Sequence, residues 1–165
     1  MSGIIKTQDS RRIFIETLKE LAVHDDKIIV IIPDVGFNYL SEPTLPFRVV
    51  NTGVTEMFST IFAANLALAG WKPYIYSMIN FVVFRPYEMV RNAICMHKAN
   101  VKLIGVKGST GYRFLGFSHN LLTPNEDFKV LEDLPIDLYQ PRNNDEVKKA
   151  IYDSYQSNEP SYIRL

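Results

Sequence analysis

The chain has 165 residues, 47% of them hydrophobic and 22% charged, a composition typical of one globular domain with a proper core. Lysine plus arginine and aspartate plus glutamate both total 18, so the net charge of zero argues against binding to nucleic acid or an anionic membrane. The single cysteine, Cys95, excludes an internal disulfide and a cysteine metal cluster, and no apolar run reaches the roughly 18 residues of a membrane-spanning helix. With no leader-like pattern at its start, the sequence predicts a cytoplasmic protein whose residues 1–165 form a single domain.

Apolar, strand-like runs alternate with helical patterns along the chain. Helices are predicted at about 9–24, 57–69, 87–98, 126–133 and 144–156. Strands are predicted at 28–32, 47–51, 73–78, 101–106, 137–139 and 162–165. Strands that alternate with helices indicate right-handed crossovers, so the predicted fold class is α/β: a doubly wound, mostly parallel sheet of about six strands with helices on both faces.

Ligands bind outside the carboxyl ends of the strands in such sheets. The candidate ligand-binding segments are therefore the four that follow predicted strands, namely 33–39, 52–56, 77–85 and 107–120. In the second of these, Glu56 opens a helix. From its position alone, this carboxylate either complements the positive end of the helix dipole or points at a nitrogen of a ligand.

The residues around Glu56 resemble a family motif. Asn-Thr-Gly-Val-Thr-Glu-Met, followed by Ala-Ala-Asn-Leu-Ala-Leu-Ala-Gly at 63–70, is similar to a block in the pyrimidine-binding domain of transketolases. Deoxyxylulose-phosphate synthases and 2-oxo-acid dehydrogenase β subunits carry related blocks. The resemblance implies that Glu56 hydrogen-bonds a ring nitrogen of the aminopyrimidine of thiamine diphosphate and so activates this cofactor. Such a role requires a carboxylate that shares a proton with the ring in a dry site.

The segment after the third predicted strand resembles the family block Ser-x-x-x-Phe-x-x-x-Arg-x-(Tyr/Trp)-(Asp/Glu)-x-(Ile/Val)-Arg-Asn. The resemblance implies that Phe81 stacks on the aminopyrimidine, with Phe84 and Tyr87 as further cofactor contacts. Arg85 is expected to order this loop or to face the substrate. Without the resemblance, both phenylalanines would be assigned to the core. An apolar surface around Phe81, Phe84, Tyr87 and Met89 is expected to form part of a subunit contact.

The fourth segment resembles the family loop Gly-x-x-x-(Asp)-Gly-x-(Thr/Ser)-His-Gln. His119 matches a histidine near the reacting carbon of the substrate, where an imidazole can hold or relay a hydroxyl proton. Position alone would make it an exposed loop residue. Leu115 stands where the family has an acid that binds a sugar hydroxyl, and Asn120 replaces the glutamine. Because leucine cannot accept a hydrogen bond, the usual sugar-phosphate substrate does not carry over with the resemblance.

The turn after the first predicted strand matches the family more loosely. There the resemblance implies that Asp34 is the acid near the thiazolium ring and that Asn38 replaces a serine that contacts the substrate phosphate. Asp34 is equally compatible with a plain turn residue.

The family's Gly-Asp-Gly motif, which holds the metal and the diphosphate, is missing from the sequence. The resemblance therefore implies no metal ligands in this chain and a partner subunit that carries Gly-Asp-Gly and Mg²⁺. An α2β2 assembly is the natural arrangement.

The predicted function is that of a subunit of a heteromeric, thiamine-diphosphate-dependent, transketolase-like enzyme. It would transfer a two-carbon ketol unit between sugars, sugar phosphates or nucleotide sugars. A subunit of a decarboxylating enzyme, similar to deoxyxylulose-phosphate synthase or 2-oxo-acid dehydrogenase, is one alternative. A non-catalytic assembly subunit is another.

Overall fold

A computed structural model describes residues 9–34, 40–41, 44–108 and 110–165. The strands are β1 Ile28–Ile32, β2 Arg48–Asn51, β3 Lys72–Met78, β4 Lys102–Val106, β5 Asp137–Tyr139 and β6 Ser161–Arg164. The α-helices are α1 Ser10–Ala22, α2 Glu56–Leu68, α3 Tyr87–Met89, α4 Glu126–Leu131 and α5 Asn144–Gln156. Two π-helical turns, Asn80–Phe84 and Val90–Cys95, flank α3, and a 3₁₀ segment covers Thr110–Ser118.

The six strands form one sheet in the order β2-β1-β3-β4-β6-β5, and every neighbouring pair is parallel. All five residues of β1 are buried, as expected for a central strand covered on both faces. Because the sheet is parallel, the segments that follow β1, β2, β3 and β4 all leave from the same edge. The predicted α/β class and strand number are confirmed.

Helices cover both faces of the sheet, as predicted. On one face, α1 and α5 contribute Phe14, Leu18, Val147 and Ile151 to a buried apolar cluster. A second buried apolar cluster covers the other face. It includes Ala63 and Ala64 from α2, Val90 and Ile94 from the π turn that follows α3, and Leu131 from α4. The residues that follow β2 and β3 are therefore anchored on this second face.

Helical structure after β3 begins earlier than predicted, at Asn80 rather than Tyr87. The first turn is wide: the amide of Arg85 donates to the carbonyl of Asn80 at 3.0 Å, five residues back. Residues 79–83 are all buried, and this run, apolar except for Asn80, lacks the 3.6-residue period that identifies a surface helix. Single π turns within helices are frequent at functional sites.

The glycine-rich segment after β4, predicted as a loop, is largely a 3₁₀ helix over Thr110–Ser118. It is kinked at Gly116, whose φ of 63° lies in the left-handed region that glycine adopts without strain. Short 3₁₀ turns leave no extended apolar period in a sequence, so the sequence pattern does not predict this helix.

The burial of Lys102, at the start of β4, is expected to make the stability of the fold depend on pH. Its buried ammonium donates to the carbonyls of Glu159 and Ser157 at 2.8 and 3.2 Å, and burial lowers its pKa from 10.5 to about 8. Between these values the unfolded chain binds one proton more than the folded chain, so the contribution of Lys102 to the free energy of unfolding rises with pH. We expect the free energy of unfolding, measured with urea, to rise by about 2 kcal/mol more for the wild type than for Lys102→Met between pH 8 and pH 10. A difference that does not change with pH would mean that Lys102 stays protonated when folded.

Candidate active site

The carboxylate of Glu56 and the guanidinium of Arg85 meet at the carboxyl edge of the sheet. Arg85 Nη1 donates to Glu56 Oε1 at 2.6 Å, a short, charge-assisted hydrogen bond. Glu56 is only 9% exposed, whereas 43% of the Arg85 side chain is exposed. The carboxylate is thus fixed in a largely dry position by a cation whose outer part faces solvent.

A tight turn between β2 and α2 places Glu56 at the first helical position. Gly53 has a φ of 69°, in the left-handed region, and its amide donates to Asn51 Oδ1 at 2.9 Å. The hydroxyl groups of Thr52 and Ser59 lie 2.7 Å apart and link the turn to the first turn of α2. Glu56 therefore lies at the positive end of α2, and its carboxylate faces a nitrogen of Arg85. Its contact with a nitrogen of a ligand stays a prediction.

Phe81 lies within the π turn that follows β3, next to the Glu56–Arg85 pair. The guanidinium carbon of Arg85 is 4.1 Å from the centroid of the Phe81 ring. The ring of His119 contacts the same phenylalanine nearly at right angles, with the ring centroids 5.0 Å apart. Arg85 thus joins Glu56 to Phe81, and Phe81 in turn contacts His119, so three residues predicted from separate segments lie together.

The hydrogen bonds of His119 define which of its nitrogens is free to act. The Ser118 hydroxyl donates to the carbonyl of Leu115 at 2.8 Å, and Ser118 Oγ also lies 2.7 Å from His119 Nδ1. Because the hydroxyl proton is used on Leu115, an N–H on Nδ1 completes the contact in the tautomer that satisfies both hydrogen bonds. In the neutral imidazole of that tautomer, Nε2 carries the lone pair and can accept a proton.

Asn80 is a site residue that the sequence interpretation missed. Its side-chain amide donates to the carbonyl of Phe117 at 3.0 Å and lies 3.4 Å from that of Asn120. It ties the segment that carries His119 to the end of β3. The available signal was a single amide side chain within an apolar run directly after a strand.

A cleft of about 500 Å³ opens beside His119. It is lined by Lys107, Gly108, Arg113, Gly116, Phe117, Asn120 and Leu121. The two cations, Lys107 and Arg113, are both exposed, and the described lining contains no acidic residue. Such a cleft suits a polar ligand with an anionic group. Neither cation was singled out from the sequence, although Lys107 borders a glycine-rich segment and Arg113 lies within it.

The remaining predicted site residues are placed less centrally. Phe84 and Tyr87 are half-buried and pack against the apolar cluster of their face. Asp34 follows β1, is exposed and has a φ of 62°, with its amide donating to the Ile32 carbonyl at 3.0 Å. Asn38 lies outside the described residues.

The largest exposed apolar side chains lie elsewhere than expected. Phe81 is 6% exposed, and none of Phe84, Tyr87 and Met89 is fully exposed either. Large apolar side chains that are exposed do lie on α2 or next to it, namely Val54, Met57, Phe58, Ile61 and Leu68. Val54, Met57 and Phe58 flank Glu56 in the sequence, so an uncovered apolar surface borders the candidate site.

In the part of the chain that the structure describes, no three histidine, cysteine or acidic side chains come close enough together to hold a metal ion. No helix among those same residues is long and apolar enough to cross a membrane.

Comparisons with known proteins identify the family of the chain. The model of the transketolase pyrimidine-binding domain matches residues 6–165, so the chain belongs to that family. Among curated proteins, the chain is 30% identical to one subunit of the apulose-4-phosphate transketolase of Phocaeicola vulgatus, over 94% of the chain and 50% of that protein. It is 27% identical to 1-deoxy-D-xylulose-5-phosphate synthase of Lawsonia intracellularis, over 92% of the chain and 24% of that protein.

Solved structures give the same result. A split-gene transketolase described as an inactive β4 tetramer superposes with a TM-score of 0.78 at 26% identity, over 94% of this chain and 50% of that one. A transketolase of Pichia stipitis superposes with a TM-score of 0.79 at 17% identity, over 99% of this chain and 26% of that one, which supports the fold alone. The chain spans half or less of the length of these relatives.

Proposed function

We propose that the chain is the pyrimidine-binding subunit of a thiamine-diphosphate-dependent, transketolase-like enzyme that transfers a two-carbon ketol unit between sugars. The contact of Glu56 and Phe81 with one planar guanidinium carries the proposal. It places a buried carboxylate and an aromatic ring around a single flat, N–H-bearing group. A match to the transketolase pyrimidine-binding family supports the same conclusion.

The residues present fit the aminopyrimidine of this cofactor. An aminopyrimidine needs a carboxylate that accepts a ring N–H and a flat apolar surface beneath the ring. Glu56 and Phe81 supply these two groups from neighbouring segments of the same edge. When bound, thiamine diphosphate supplies a nucleophilic carbon that can attack a ketose carbonyl. Phe84, Tyr87 and Asp34 remain predicted cofactor contacts.

The roles of the other residues follow from their positions. With its lone pair on Nε2, His119 accepts the proton of a substrate hydroxyl and returns it. In the adjoining cleft, Lys107 and Arg113 attract an anionic part of the sugar. Leu115, in place of an acid, favours a sugar with different hydroxyl groups from the usual substrate. Asn38 remains a predicted substrate contact.

The exposed apolar surface beside Glu56 is the proposed docking site for the diphosphate-binding subunit, which carries Gly-Asp-Gly and Mg²⁺. Val54, Met57 and Phe58 are exposed and flank Glu56 in the sequence, so a partner protein seated on them would also exclude water from the Glu56 carboxylate. Similarity to a transketolase subunit and to a split-gene transketolase supports a divided enzyme. An α2β2 complex in the cytoplasm is the arrangement that we propose.

A decarboxylating enzyme is the second candidate function. The match to 1-deoxy-D-xylulose-5-phosphate synthase favours it. A non-catalytic assembly subunit would have no need for the contacts that join Glu56, Phe81 and His119.

The proposal is tested by mixing the chain with a Gly-Asp-Gly protein, sought among the products of neighbouring genes, together with Mg²⁺ and thiamine diphosphate. We expect a stable complex that binds the cofactor, as measured by calorimetry, and transfers a ketol unit from a ketose phosphate to an aldose. Release of carbon dioxide from pyruvate would favour the second candidate. A complex that binds no cofactor would overturn the proposal.

A further inference from the structure

The side chain of Arg85 makes two contacts that the proposed function assigns to the cofactor. Its Nη1 donates to Glu56 Oε1 at 2.6 Å, and its guanidinium carbon lies 4.1 Å from the centroid of the Phe81 ring. An aminopyrimidine would donate to the same carboxylate and stack on the same ring. The two target groups are only 9% and 6% exposed, so little of either is open to a ligand while Arg85 remains in place.

A guanidinium is chemically similar to an aminopyrimidine. Both are flat and delocalised, with N–H donors at the edge and a face that stacks on an aromatic ring. We propose that Arg85 occupies the position of the aminopyrimidine in the free chain and must swing out before the cofactor binds. This inference rests on the proposed function, and it changes the role of Arg85 from the predicted substrate contact to a competitor of the cofactor.

The structure allows Arg85 to move without unfolding its segment. The backbone is held by the π turn, in which the Arg85 amide donates to the Asn80 carbonyl. The side chain is 43% exposed, and a partly exposed ion pair of this kind stabilises a structure only weakly. The guanidinium can therefore leave by rotation of its own side chain, while Phe81 and Glu56 keep their places.

The contact lowers the apparent affinity for the cofactor. A ligand that binds only the open arrangement has its affinity reduced by the fraction of molecules that are open. Removing the guanidinium makes every molecule open, so binding of an aminopyrimidine becomes tighter. A substrate-binding or structural role for Arg85 predicts no such gain.

The test uses 4-amino-2-methylpyrimidine as the probe and the ¹⁵N-labelled chain without its partner. Dissociation constants are measured by NMR titration for the wild type, Arg85→Ala and Arg91→Ala. Arg91 is the matched control, since it is exposed on the same helical segment and its side chain donates to Asn92. We expect Arg85→Ala to bind the probe about fourfold more tightly than the wild type and Arg91→Ala to bind it equally well.

A second readout follows the arginine itself. The ring current of Phe81 should shift the Nε–H signal of Arg85 in the free wild-type chain, and the probe should remove this shift. Glu56→Gln is expected to lose affinity for the probe.

Two results separate this inference from the proposed function. If Arg85→Ala binds the probe no better than the wild type while Glu56→Gln loses affinity, the pyrimidine site stands and the inference is wrong. If neither the wild type nor Arg85→Ala binds the probe at millimolar concentration, the pyrimidine site is wrong, and the inference fails with it.

Discussion

Replacing Glu56 by glutamine is expected to lower the turnover of the proposed complex with a diphosphate-binding subunit about a thousandfold, within the range of acid–base catalysis. Glutamine keeps the shape of the side chain and an oxygen that accepts from Arg85. It cannot share a proton with a ring nitrogen as a carboxylate does. We therefore expect kcat to fall steeply while the free energy of unfolding stays within about 1 kcal/mol of the wild type.

The matched control for this variant is Glu88→Gln, an exposed glutamate on the short helix α3. It removes one negative charge from the same face of the sheet without touching the site. Steady-state kinetics at saturating cofactor and thermal unfolding of each variant give the two quantities. Retention of more than a tenth of the wild-type turnover in Glu56→Gln would show that this carboxylate has no essential proton-sharing role.

Asp127→Ala is expected to lower the free energy of unfolding by about 3 kcal/mol or more. Asp127 is completely buried and accepts from the hydroxyl of Tyr162 at 2.6 Å and from Arg164 Nη1 at 3.0 Å. Only 11% of the Arg164 side chain is exposed, so the variant leaves a nearly buried cation without its carboxylate. Equilibrium urea unfolding measures the loss as a fall in the midpoint with little change in slope.

An exposed acid from the same part of the chain provides the control. Glu132 follows the last residue of α4, and Glu132→Ala is expected to change the free energy of unfolding by less than about 0.5 kcal/mol. If Asp127→Ala costs no more than this control, the cost of desolvating the two charges cancels their attraction in the native chain.

The fold was predictable because its signals are local. Ile28–Ile32 is a continuous β-branched run, and Gly70 ends a long helical pattern, so both elements follow from neighbouring residues alone. The meeting of Glu56 with the Phe81 segment was also predictable, since parallel strands deliver the residues that follow them to one edge.

The contacts that define the site were less accessible to sequence reasoning. Glu56 and Arg85 are 29 residues apart, and which donor reaches the carboxylate depends on a π turn that has no periodic signature. The hydrogen bonds of Asn80 to residues 117 and 120 span an even larger separation. Lys107 and Arg113 become candidate ligand-binding residues only because the fold places both of them in the lining of one cleft.

The uncovered apolar face next to α2 also bears on how the chain is made in a cell. Newly synthesised chains would expose five apolar side chains to solvent until another protein covers them: Val54, Met57, Phe58, Ile61 and Leu68. Surfaces of this kind promote self-association and attract chaperones and proteases. We therefore expect the chain to give a lower soluble yield when it is produced alone than when it is produced together with the proposed partner chain.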